Sequence, residues 1–212
     1  DIYVKLEKLN DGRGILRLRD TNNDGTADDI SGFGNYEGTG IAIKNGYLYA
    51  SSDDNVYRYK MDNNEVSANT EEMIVEGLIN KREHSSKSIT LDNEGFIYVN
   101  IGAPSNACQE KNREKGSPGM NPCPILDSAG GIWQFKVDKL NQTYAEGVRY
   151  ATGLRNVVGL DWNNQVNDLY LMQHGRDMLF QFYPELFDQK AGANNPAEEF
   201  FRVKKGSDCG WP

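Results

Sequence analysis

Apolar and polar residues alternate with a period of two over short runs bounded by Gly, Asn and Asp, and the 3.6-residue period of amphipathic helices is largely missing. The clearest exception is a short helical turn expected around Pro184 to Phe187. The pattern predicts an all-β chain. An apolar residue followed by Tyr closes the same kind of strand four times, at Ile2-Tyr3, Leu48-Tyr49, Ile97-Tyr98 and Leu169-Tyr170. Successive tyrosines lie 46, 49 and 72 residues apart, and the longest gap holds a polar, Gly/Pro-rich insertion at about 104–130. Without that insertion all three spacings fall in the range of one blade of a β-propeller.

Two further elements keep this phase. A strand ending in Asp follows the first three pairs, at Gly14 to Asp20, Asn55 to Asp62 and Gly131 to Asp138. Ser31-Gly32-Phe33, Glu76-Gly77-Leu78 and Thr152-Gly153-Leu154 then precede the strands Ile41 to Ile43, Ile89 to Leu91 and Leu160 to Trp162. The loops between them share one repeat position, so a propeller opens them all on one face beside its central channel. Lys44-Asn45-Gly46-Tyr47 reads as a type I′ hairpin, and Asp92-Asn93-Glu94-Gly95 as a slightly longer one. Residues 1–212 supply three to four blades, and propellers close to remove their sheet edges, so the chain is expected to be part of a larger propeller.

Charge narrows the partners. With 31 acidic and 23 basic residues the formal net charge is -8, and no Lys/Arg stripe interrupts it, which argues against nucleic acid. No apolar run approaches the roughly 18 residues of a membrane-spanning helix. Asp1 opens the chain without an initiator Met or an apolar leader, which reads as a processed or trimmed start. Oxygen-rich loops suit calcium. In Asp20-Thr-Asn22-Asn-Asp24-Gly25-Thr-Ala-Asp28, oxygens fall at loop positions 1, 3, 5 and 9 with Gly at 6, as in an EF-hand, but Ser31 stands where the bidentate Glu would be. The alternative is that Asn23-Asp24-Gly25 is only a favourable turn. Cys108 and Cys123 flank the insertion and Cys209 is left over, so either one bridge or three thiols is expected.

Both histidines fall near the predicted loop face. His84 lies in Arg82-Glu-His-Ser-Ser-Lys87, Arg155-Asn156 occupy the equivalent loop of the next repeat, and His174 follows the Leu169 strand in Gln173-His-Gly-Arg-Asp177. A neutral imidazole can take a proton near pH 7, and Arg and Asn can hold an anionic or carbonyl group. The competing reading makes these ordinary polar loop residues.

Five ordered motifs carry a resemblance: Glu83-His-Ser-Ser86 ahead of Ser88 to Gly102, Gly153-Leu-Arg-Asn-Val-Val-Gly159, Gln173 to Asp177, Asn195-Pro-Ala-Glu-Glu199 and Gly210-Trp-Pro212. Together they resemble the glucose/sorbosone dehydrogenase family, six-bladed propellers that use pyrroloquinoline quinone and calcium. The resemblance implies that His84 is the general base, that Arg155 and Asn156 contact the quinone oxygens, and that backbone carbonyls at Gly175 and Arg176 hold the calcium. It implies a small-molecule sugar substrate, an unidentified electron acceptor and a periplasmic or extracellular location. Soluble glucose dehydrogenases carry Gln two residues after the Arg-Asn pair; Val158 stands here, which favours the sorbosone or pyranose branches. The rival readings are a non-catalytic propeller that binds carbohydrate or protein, and a calcium-dependent propeller lactonase.

Overall fold

The computed structural model describes residues 1–194 and 198–212, so Asn195, Pro196 and Ala197 of the fourth motif lie outside the described residues. Among the described residues four largely antiparallel sheets follow one another along the chain as blades of a β-propeller, at the upper end of the number the repeats predict. The first contains β1 (Ile2–Asn10), β2 (Arg13–Arg19) and β3 (Asp29–Phe33). The second is built from β4 (Ile41–Lys44), β5 (Tyr47–Ser51), β6 (Val56–Asp62) and β8 (Glu72–Glu76), with the two-residue β7 (Glu65–Val66) beside β6. The third comprises β9 (Ile89–Leu91), β10 (Phe96–Ile101), β11 (Gly131–Lys136) and β13 (Val148–Thr152), and the fourth β14 (Val157–Asn163), β15 (Asp168–Gln173) and β16 (Glu199–Val203).

The recurring apolar-Tyr pair now has a packing explanation. Successive strand residues point to opposite sheet faces, and an inner blade is buried on both. Ile97, Val99 and Ile101 of β10 pack with Val56, Ile74 and Val75 of the second sheet, whereas Tyr98 packs with Trp162, Leu169 and Leu171 of the fourth. Tyr98 stacks on Trp162 at 5.0 Å between ring centroids and donates its hydroxyl to Asp92 at 2.8 Å, so the large ring carries its polar tip into the core with a partner.

Neighbouring blades are also stitched by short parallel strands. β12 (Gln142–Thr143) joins the edge of β8, and β17 (Ser207–Asp208) joins β13. Gly153 permits the second crossing: its φ is +70°, and a Cβ there would sit 2.1 Å from the Asp208 carboxylate. Asn45 and Gly46 both have positive φ, as the type I′ turn requires. Around Pro184 the chain makes the expected short turn, with the Leu186 and Phe187 amides both donating to the Tyr183 carbonyl, and α1 (Leu179–Phe182) and α2 (Gln189–Asn194) lie on either side. α1 buries just Leu179 and Phe182, and a single turn is too short to show a helical period.

The insertion between β10 and β11 is closed by a Cys108–Cys123 disulfide, with Cα atoms 6.1 Å apart, and Cys209 is free. Cys108 packs with Ala103 and Trp211 in a small core of its own.

Candidate active site

The end of β10 is the hub. Asn100 is fully buried, the one polar side chain in an otherwise apolar and aromatic strand. Its amide donates to the Ser86 carbonyl and to Asn156 Oδ1, both at 3.2 Å, while its oxygen accepts from the Val157 amide at 3.3 Å. One side chain thus ties the His84 loop to the Arg155-Asn156 loop. Two residues on, a Cβ at Gly102 would meet the His84 carbonyl at 2.5 Å and His84 Cβ at 2.6 Å, so the close approach of the His84 loop to β10 needs glycine.

His84 itself sits at φ +53° and Arg82 at +68°, left-handed conformations that side chains other than Gly adopt at a cost of about 1 kcal/mol or more. A fixed ring is the result. His84 Nδ1 lies 2.6 Å from the Ala103 carbonyl, which can only accept, so Nδ1 carries the proton and Nε2 keeps its lone pair. Nε2 has no protein partner among the described residues. Burial lowers the imidazole pKa from its ordinary 6.5; the Ala103 bond and Glu83 oppose that, and Arg155 and Arg113 reinforce it.

Arg155 is only 3% exposed. Its backbone amide donates to Gln173 Oε1 at 2.8 Å, its Nε to Asn106 at 3.1 Å and one Nη to Asp177 at 3.0 Å. The other Nη, like the Asn156 side-chain nitrogen, has no protein acceptor among the described residues. Burial works against the charged Asp177 carboxylate, but Arg113 and Arg155 outweigh it and hold its pKa below the ordinary carboxylate value. His174 donates from its backbone to Asn156 and pairs its ring with Glu198 at 2.6 Å. Gly175 and Arg176 line a cleft of about 100 Å³ together with Arg155, His174 and Trp211. Their carbonyls accept no hydrogen bond among the described residues.

The structure therefore brings His84, Arg155 and Asn156 together and places Gly175 and Arg176 beside Arg155. Asp20, Asn22, Asp24 and Asp28 all lie in one turn between β2 and β3 that is closed by its own hydrogen bonds. No three His, Cys, Asp or Glu side chains among the described residues are grouped to hold a metal. Asp20 Oδ1 accepts from the amides of Asn22, Asn23 and Asp24 and its Oδ2 from Gly25, so the loop spends these oxygens on its own backbone. It joins β2 to β3, at the blade end opposite the loops that carry His84 and Arg155.

Sequence reasoning assigned no part in the site to Asn100, Asn106 or Trp211, whose indole donates to the Asn106 carbonyl at 3.0 Å. Asn100 had a signal, a lone amide in the run Phe96-Ile-Tyr-Val-Asn-Ile101.

Fold and site together define a β-propeller whose loop face presents an imidazole, a buried guanidinium and unpartnered amide and carbonyl groups. The TrAA12-like family model matches residues 8–209, and the chain belongs to that family. Among solved structures, the iodide form of Trichoderma reesei Carbohydrate-Active Enzymes Family AA12 superposes with a TM-score of 0.71 at 21% identity, over 94% of this chain and 49% of that one. The calcium structure of the same Trichoderma reesei family matches with a TM-score of 0.69 at 19% identity, over 94% and 49%. The holo form of the pyranose dehydrogenase PQQ domain from Coprinopsis cinerea gives a TM-score of 0.69 at 17% identity, over 92% and 46%. This chain thus spans about half the length of the structures it resembles. No curated protein matches the sequence.

Proposed function

We propose that the protein is a quinoprotein oxidoreductase that oxidises a sugar or sugar aldehyde by hydride transfer to pyrroloquinoline quinone, with His84 as general base. One observation carries the reading. The His84 ring is locked through Nδ1 on a carbonyl, free at Nε2, and set beside the Arg155-Asn156 loop. The free donors of Arg155 and Asn156 and the free carbonyls of Gly175 and Arg176 suit a planar, oxygen-rich anionic group and a hard cation.

When bound, the quinone supplies the hydride acceptor and calcium the Lewis acid that polarises it. His84 Nε2 takes the proton of the sugar hydroxyl, and burial keeps the ring neutral and ready to do so near pH 7. Arg155 and Asn156 donate where negative charge accumulates, and Asp177 and Asn106 hold the guanidinium in place beforehand. The Gly175 and Arg176 carbonyls, which accept no hydrogen bond among the described residues, would hold the calcium. The disulfide accords with a periplasmic or extracellular location.

The test is reconstitution with pyrroloquinoline quinone and calcium, followed by dye reduction across aldoses and sorbosone. Activity should need both additions, and His84→Ala should lower it about 10²- to 10⁴-fold while quinone still binds. A base whose pKa is lowered stays neutral to lower pH, so the acid limb of kcat/KM should fall below the ordinary imidazole 6.5. Absence of quinone binding would overturn the reading and leave a binding propeller.

A further inference from the structure

Four charged side chains from four separate segments alternate in sign across the loop face. Glu83 accepts from Arg113 Nε at 2.7 Å, and Arg113 reaches Asp177 at 2.6 and 3.3 Å. Asp177 in turn meets the buried Arg155 at 3.0 Å. We infer that Arg113, carried by the disulfide-closed insertion, is a positioning residue that couples the His84 loop to the Arg155 loop through Glu83 and Asp177. The inference rests on the roles assigned to His84 and Arg155 above.

Exposed ion pairs are worth little on their own, so the argument turns on how Arg113 is held. Its backbone is at φ +58°, and its amide donates at 3.1 Å to Gln109, a side chain only 2% exposed. Gln109 also donates to the Glu114 carbonyl at 3.0 Å, turning the loop around itself. The loop docks on α1 and the residue after it: the Gly116 amide donates to the Phe182 carbonyl at 2.9 Å, and the Tyr183 hydroxyl to the Ser117 carbonyl at 3.0 Å. Asn112 adds a second donor to Glu83 while accepting from the Asn106 amide at 3.0 Å. Arg113 is therefore delivered to two carboxylates by a fixed backbone, which reduces the ordering entropy that usually weakens a surface pair.

The consequence for the neighbouring base has a definite sign. The charges facing His84 are Glu83 on its own loop, Arg113 on the insertion and Arg155 on the loop leading into β14, with Asp177 behind the two cations. Arg113 favours the neutral ring and Glu83 favours the charged one. Removing them one at a time moves the His84 titration in opposite directions, which a role in packing alone does not produce.

The experiment is an NMR titration of the two imidazoles in the quinone-free protein, with His84 identified by the resonance lost in His84→Asn. Arg113→Gln should move the His84 midpoint up and Glu83→Gln should move it down. The double variant should return it toward the starting value, and Arg113→Lys should stay near wild type. Amides 82–86 should exchange about 10-fold faster in Arg113→Gln. Midpoints that stay put in both single variants, or shift the same way, overturn the coupling. Should Arg113→Gln fail to fold, Glu83→Gln and Arg113→Lys still decide the sign. Quinone affinity of the wild type is measured alongside. Absent binding with opposite midpoint shifts defeats only the dehydrogenase reading, and normal binding with unmoved midpoints defeats only the coupling.

Discussion

Two polar, Asn- and Gly-bearing excursions leave the sheets, residues 20–28 and the insertion at 104–130, and their hydrogen bonds run to different places. In the first, Asp20, Asn22, Asp24 and Asp28 accept from groups two to seven residues away. The second is held from afar: Asn106 meets Arg155 across 49 residues, Asp177 across 71 and Trp211 across 105. Similar residue types thus make a self-contained turn in one place and a wall of the site in the other. What separates them is where the acceptors find donors. A loop that satisfies its own backbone can change without consequence elsewhere, and one that satisfies distant groups cannot.

The sharpest way to break the contrast is Asn106→Ala. Asn106 is fully buried, accepts from Arg155 Nε and the Asp177 amide and donates to the Asp177 carbonyl. Truncation leaves those groups, the buried Arg155 among them, without their partner, an expected loss of about 3 to 4 kcal/mol by chemical denaturation, with quinone affinity falling alongside. A loss under 1 kcal/mol would mean that water replaces the amide and the insertion is not structural.

Next in size is removal of the Cys108–Cys123 bridge by paired Ser substitution. A closed loop of about 15 residues is worth on the order of 3 kcal/mol in the chain-entropy model. The melting temperature should drop, and exchange should quicken at residues 105–118 ahead of the blade strands. If the strands loosen equally, the insertion shares the cooperative unit of the sheets and the two-region contrast is wrong.

Why one region was legible and the other was not follows from range. The blades could be phased from the sequence because strand alternation, Asn45-Gly46 and the apolar-Tyr pairs are local signals, and the meeting of the His84 and Arg155 loops followed from equal repeat position. The partners of those residues are not local. Nothing near Glu83 announces Arg113, thirty residues on, and nothing near Arg155 announces Asn106. Trp211 falls in a recognisable motif, but its place as a brace depends on β17 joining β13 and on the distant Asn106 carbonyl that its indole meets. The Asp20 loop shows the converse: its spacing matches a calcium loop and a tight turn alike, and spacing does not show whether oxygens face an ion or their own amides.

Asp20→Ala gives the smallest expected effect and the cleanest control. In the folded chain the Asp20 carboxylate is stabilised first by the Gly25 amide and then by those of Asn23, Asp24 and Asn22, so its pKa lies below the ordinary 3.8. A lowered acid pKa means that its contribution is complete above the unfolded value and is lost as pH falls through the folded one. Acid should therefore open residues 20–28 of the wild type, and Asp20→Ala should open them already at pH 7, seen as faster exchange of amides 22–25. The exposed loop carries no other element with it, so the melting temperature should stay within about a degree and the His84 titration should not move. Calcium should leave these amide resonances where they are. A chemical shift change saturating with calcium, abolished by Asp20→Ala, would turn this loop into a metal site and reverse the comparison.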